Sequence, residues 1–132
     1  MEASTASRKD QCVQGGGHHL EFINIEVHHC GDPNMEPCGG ACGASYGFYW
    51  SGDDNLFEHI KLHDTTGYGF HVFNAGCDDV AKNCPDRNII RYSEIYDTGT
   101  KQGSSGILFA YGTGNEAYGN VIRNNSSGFA PA

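Results

Sequence analysis

An imperfect internal repeat constrains this chain more than any other feature. It is clearest in segment 55–74, NLFEHIKLHDTTGYGFHVFN, where two short apolar-alternating runs flank a Thr-Thr-Gly turn. One further copy is NIIRYSEIYDTG (88–99) followed by GILF (106–109), and another is LEFINIEVHHCG (20–31) followed by GFYW (47–50). A partial copy spans 115–128. Aligning the copies gives apolar columns Val27, Leu62, Ile95, Ile122 and Phe22, Phe57, Ile90, Ala117. After the turn come Gly47, Gly69, Gly106, then Phe48, Phe70, Ile107, then Trp50, Val72, Phe109. Residues between them alternate outward, as strands require. His29, Asp64, Asp97 and Asn124 share the turn column, where Asn and Asp tolerate tight-turn dihedrals. Short strands repeating with period two and no helical segment between them predict an all-β parallel solenoid of about four rungs. Uneven spacing of the glycine columns places loop insertions at the corners of a fixed frame.

NIIRYSEIYDTG with SSGILF, and NLFEHIKLHDTTGYGFHVF, resemble the repeat of the pectate-lyase-like right-handed parallel β-helix superfamily, over about residues 19–128. The resemblance implies a right-handed parallel β-helix. It says little about activity, because that fold hosts many unrelated functions. Residues 1–18, polar and glycine-rich, read as a flexible N-terminal arm or partial cap, and 19–132 as the β-helix domain.

The net charge of −8 argues against nucleic acid, whose affinity comes from phosphate neutralisation by Lys and Arg. It also weighs against an acidic polysaccharide unless a cation bridges the two. No run approaches the roughly 18 apolar residues that would span a bilayer. Six cysteines point to an oxidising compartment, hence to a secreted or extracytoplasmic protein, although no secretory signal is visible. Cys77 with Cys84 and Cys38 with Cys42 are the simplest disulfides, leaving Cys12 with Cys30. The competing reading is zinc held by Cys30, Cys38, Cys42 and His28 or His29.

Stacking the rungs places the insertions 30–45 and 100–105 at one corner, on either side of the short turn at 63–68. A groove results. Its expected floor is His28, His63 and Tyr96, with Asp64 at the turn, Tyr68 and His71 beyond, and Lys101 and Glu36 reaching in from the walls. Aromatic and imidazole rings beside carboxylates suit a polysaccharide or other glycan. For catalysis, a lyase needs a base such as His63, His71 or Lys101. A hydrolase needs two carboxyls, Asp64 with Glu36 or Asp32. His28, Tyr68, Tyr96 and Glu36 are expected to bind substrate. Asp53 and Asp54, with Asp78 and Asp79 at the same corner of the next rung, suggest a calcium site. The two functional expectations are a polysaccharide lyase or glycoside hydrolase, and a non-catalytic β-helix that binds glycan or assembles into a homo-oligomer through its exposed ends.

Overall fold

The structure is a computed structural model and describes residues 11–38, 44–77, 83–125 and 129–131. Among them the only regular elements are short strands. β1 (Val13–Gly15) precedes the first full coil, β2 (Glu21–Ile23), β3 (Glu26–Cys30) and β4 (Phe48–Trp50). The second coil is β5 (Leu56–Glu58), β6 (Lys61–Thr65) and β7 (Phe70–Val72). The third is β8 (Ile89–Arg91), β9 (Glu94–Tyr96) and β10 (Ile107–Phe109), and the last is β11 (Glu116–Tyr118), β12 (Val121–Arg123) and β13 (Phe129–Pro131). Equivalent strands pair in parallel into three sheets, ordered β1-β4-β7-β10-β13, β11-β8-β5-β2 and β12-β9-β6-β3. This is a parallel β-helix of about four rungs. Among the described residues no helix is long and apolar enough to cross a membrane.

The apolar columns stack in the expected register. Val27, Leu62, Ile95 and Ile122 form one file, and Phe22, Phe57, Ile90 and Ala117 another. The middle members are fully buried, whereas Phe22, Ala117 and Ile122 at the two ends are only partly covered. Gly69 follows from the same stacking, because a Cβ there would overlap the Gly106 carbonyl of the next coil. On the outer face Glu58 pairs with Arg91 at 2.5 Å, and Lys61 lies 3.9 Å from Glu26.

Sharp corners separate the strands, and each coil makes them the same way. His29, Asp64, Asp97 and Asn124 all have φ between 53 and 56°. Two further columns behave alike: His19, Asp54 and Arg87 with Gly114, and Asn24, His59 and Tyr92 with Gly119. Left-handed backbone costs an ordinary side chain about 1–2 kcal/mol, so these corners need compensation from their surroundings. A ladder of buried asparagines supplies it at one of them. Asn88 Oδ1 accepts from Asn55 N (3.1 Å) and Asn55 Nδ2 (2.9 Å), while Asn88 Nδ2 donates to Gly52 O (2.8 Å). Asn55 Nδ2 donates to Gly17 O, and Asn115 Oδ1 accepts from Asn88 N. On the last coil Asn120 and Asn125 accept from Ser93 N and Thr98 N at the other two corners. The backbone amides that a corner withholds from the sheets are thereby bonded.

At the start of the chain a further strand joins the coil, and two of the expected disulfides form, against the zinc alternative. Val13–Gly15 lies inside the stretch read as an arm, yet pairs with β4, so the coil begins before residue 19. Cys12–Cys30 and Cys77–Cys84 are disulfides, with Cα separations of 5.6 and 4.5 Å. Cys30 is therefore not a zinc ligand. Cys38 is disulfide-bonded as well, and Cys42 lies outside the described residues. The chain is built for an oxidising environment.

Candidate functional site

The two insertions do meet over the short turn. Cys38 N donates to Lys101 O (2.7 Å), and Cys38 forms a bridge with Gln102. Beneath them Thr100, Lys101 and Gln102 donate their backbone amides to Thr65 and Thr66 carbonyls at 2.9–3.1 Å. Chain from the first and third coils is thus laced over the second. Beside the seam opens a cleft of about 370 Å³ lined by His29, Cys30, Gly31, Pro33, Asp64, Thr66, Thr100 and Lys101. The Asp64 and Lys101 expected in a groove both line it. Glu36 is exposed on its insertion and is not part of the lining. Asp32 caps its own loop, its carboxylate accepting from Asn34 N at 2.9 Å.

The expected floor is a column of rings on the β3–β6–β9–β12 sheet. His28 and His63 stack at 5.2 Å with 6° between planes, and His63 and Tyr96 at 4.7 Å with 4°. Arg123 caps the column, its guanidinium carbon 4.1 Å from the Tyr96 centroid. His63 is held edgewise by two carboxylates, Nδ1 at 2.5 Å from Asp64 and Nε2 at 2.8 Å from Glu26. With an acceptor at each nitrogen, the imidazolium is the form that satisfies both. Burial draws its pKa down, but the bonds to Asp64 and Glu26 outweigh burial and leave it raised above the usual 6.5. Glu26 is lowered below its usual 4.5, chiefly by the His63 bond.

The sign of the linkage follows. A raised histidine stabilises the fold below its unfolded pKa and loses that contribution as pH rises through its folded value. A depressed glutamate contributes above its unfolded pKa and loses that as pH falls through its folded value. The His63–Glu26 contribution is therefore expected to be fullest between about 4.5 and 6.5 and to fall away on both sides. An NMR titration should place the His63 midpoint above 6.5, and His63→Gln should flatten the alkaline limb of stability against pH. A midpoint at or below that of a free imidazole contradicts the two-carboxylate clamp.

Tyr68 and His71 sit elsewhere. The corner at Asp64 turns the chain, so His71 lies on β7 of the neighbouring sheet rather than around His63. There it is ringed by Tyr46, Tyr49, Tyr68 and Phe73, at centroid distances of 4.9–5.4 Å. Burial pushes its pKa down to about 4, which makes it a neutral ring at physiological pH. Tyr46, Tyr49 and Phe73 were not singled out from the sequence. Tyr49 alone had a legible signal, as the outward residue between Phe48 and Trp50.

The calcium expectation finds a different arrangement. Asp54 is held by Arg87 through Nε (2.7 Å) and NH2 (2.9 Å), and that bond lowers its pKa. Asp53 lies 3.4 Å from His18 and 4.0 Å from Arg87. One guanidinium, that of Arg87, thus faces Asp54, Asp53 and Asp86 at 2.7, 4.0 and 3.6 Å. Asp78 and Asp79 lie outside the described residues. Among the described residues no three His, Cys, Asp or Glu side chains converge as a metal site.

Comparison with protein-family models, curated proteins and solved structures found no match to this chain.

Proposed function

We propose that this chain is a carbohydrate-binding parallel β-helix of pectate-lyase-like type, working outside the cytoplasm and seating a sugar unit in the corner cleft. The observation that carries the reading is the cleft itself, bounded by chain from three coils and lined by one carboxylate, one ammonium and two threonines. Asp64 offers acceptors and Lys101 offers donors, a pair suited to the hydroxyls of a sugar ring, while the Thr66 and Thr100 hydroxyls brace the wall by donating to Cys30 O and Thr65 O. Binding is preferred to glycoside hydrolysis because Asp64 is the one carboxylate of the lining, and a glycosidase pair needs a second one facing it.

Titration calorimetry with a panel of oligosaccharides tests this directly. Asp64→Asn and Lys101→Ala should each weaken binding about tenfold or more, since each removes charge-assisted hydrogen bonds. Unchanged affinity in both variants contradicts the cleft. Release of reducing ends or unsaturated products from the same panel, with or without calcium, would make the chain an enzyme instead. End-to-end association is a separate reading, favoured by the half-open interior files at both ends. Light scattering decides it.

A further inference from the structure

The three sheets differ in what they turn outward. On β3–β6–β9–β12 the outward residues include Glu26, Lys61, Glu94 and Arg123, and on β2–β5–β8–β11 they include Glu58 and Arg91. The remaining sheet presents Gln14, Tyr49, His71 and Leu108 in register across four strands, with no charge among them. In a chain of net charge −8, a whole uncharged face is unusual.

Rings gather on that face from three coils. Tyr68, His71, Phe73 and Tyr111 form a continuous row with centroid spacings of 4.9, 5.2 and 5.4 Å. Successive planes are inclined to one another by 32°, 29° and 34°. Tyr46 and Tyr49 stand nearly perpendicular to His71, at 71° and 77°, as flanking walls. Four of the six rings are tyrosines, which combine an apolar body with a hydroxyl at the rim. Tyr111 at one end of the row is 48% exposed.

We infer that this face binds a single chain of a neutral polysaccharide. Shape is the first reason. Strands of three residues make a strip about 10 Å wide, and five of them span about 20 Å, giving roughly 200 Å². That is about a quarter of the roughly 800 Å² each partner contributes to a stable protein interface. It matches a narrow linear ligand instead. Chemistry is the second reason. A pyranose has apolar C–H surfaces and hydroxyl edges, which rings with hydroxylated rims complement. Charge is the third. Among the described residues the strands of this face offer an anionic glycan no Lys or Arg, and the field of the whole chain repels it.

The inference rests on the reading that the chain is carbohydrate-directed, but it uses a different surface, so the two can fail separately. The probes are linear neutral oligomers (β-glucan, xylan and mannan) and an oligogalacturonate of equal length, titrated against the full chain. At least one neutral oligomer should bind, and the acidic one should bind at least tenfold more weakly. Tyr111→Ala and Tyr49→Ala should each weaken the neutral oligomer about tenfold. Because Tyr111 is half-exposed, its variant keeps the fold, which circular dichroism checks. Loss on Lys101→Ala with no loss in either tyrosine variant overturns this face and leaves the cleft standing. Loss in the tyrosine variants alone supports the face and removes the cleft. Three other outcomes each overturn the inference: no binding by any neutral oligomer, preference for the acidic one, or a dimer that Tyr111→Ala dissolves.

Discussion

Asn88→Ala is expected to lower the unfolding free energy by about 3–5 kcal/mol. Asn88 is fully buried, and its side chain serves two coils at once. Its Oδ1 takes the Asn55 amide, and its Nδ2 supplies the Gly52 carbonyl. Alanine leaves both backbone groups without a partner in a place water does not reach, at about 1–3 kcal/mol each, and the lost volume adds to that. Urea unfolding followed by far-UV circular dichroism should show a lower midpoint with an unchanged slope. A loss below about 1 kcal/mol means the corners do not depend on the ladder.

The second large effect belongs to the core. Phe57 is fully buried and lies flat on Phe22, 5.0 Å apart with 3° between planes. Phe48 and Phe70 meet it edge-on at 5.4 Å, and Trp50 at 5.9 Å. Phe57→Ala removes the hub of this cluster and should cost about 3–5 kcal/mol. Near-UV circular dichroism should lose intensity in the folded baseline of the same variant, because the surrounding rings lose their fixed neighbour. Val121→Thr, at a site 57% exposed, is the control and should stay within about 0.5 kcal/mol of the parent. Equal losses at the two sites would mean that the cluster is not the core.

The rung register was legible in the sequence because burial imposes period two, and insertions change only the corners. Val27, Leu62 and Ile95 could therefore be aligned across unequal spacings and found stacked. The corners were one-third legible. Asp64, Asp97 and Asn124 are residues that tolerate left-handed backbone, so their column stands out. His59, Tyr92 and Arg87 hold the same conformation without any such preference, imposed by the coils above and below. Val13–Gly15 is a strand only because β4 lies beside it, and three residues carry no period of their own.

The candidate site divided along similar lines. His28, His63 and Tyr96 were placed correctly as one outward column, and Asp64 with Lys101 at one cleft, because both follow from register alone. His71, expected beyond the turn, lies there on the neighbouring sheet, where the corner gives it a different outward direction. Tyr46, Phe73 and Tyr111 lie in irregular segments, where no periodicity announces which way a ring points. Glu26 as the second clamp on His63 needed the distance across two coils, 2.8 Å, which alignment does not give.

One measurement bears on all of this together: backbone amide chemical shifts of the labelled chain, followed while a bound oligosaccharide is added. Shifts should concentrate at Gly31, Asp64, Thr66, Thr100 and Lys101, with a second set at Tyr49, His71 and Tyr111, residues brought together only by the winding of the coils. Perturbations confined to the β2–β5–β8–β11 face, or no perturbation with any glycan in the panel, would contradict it.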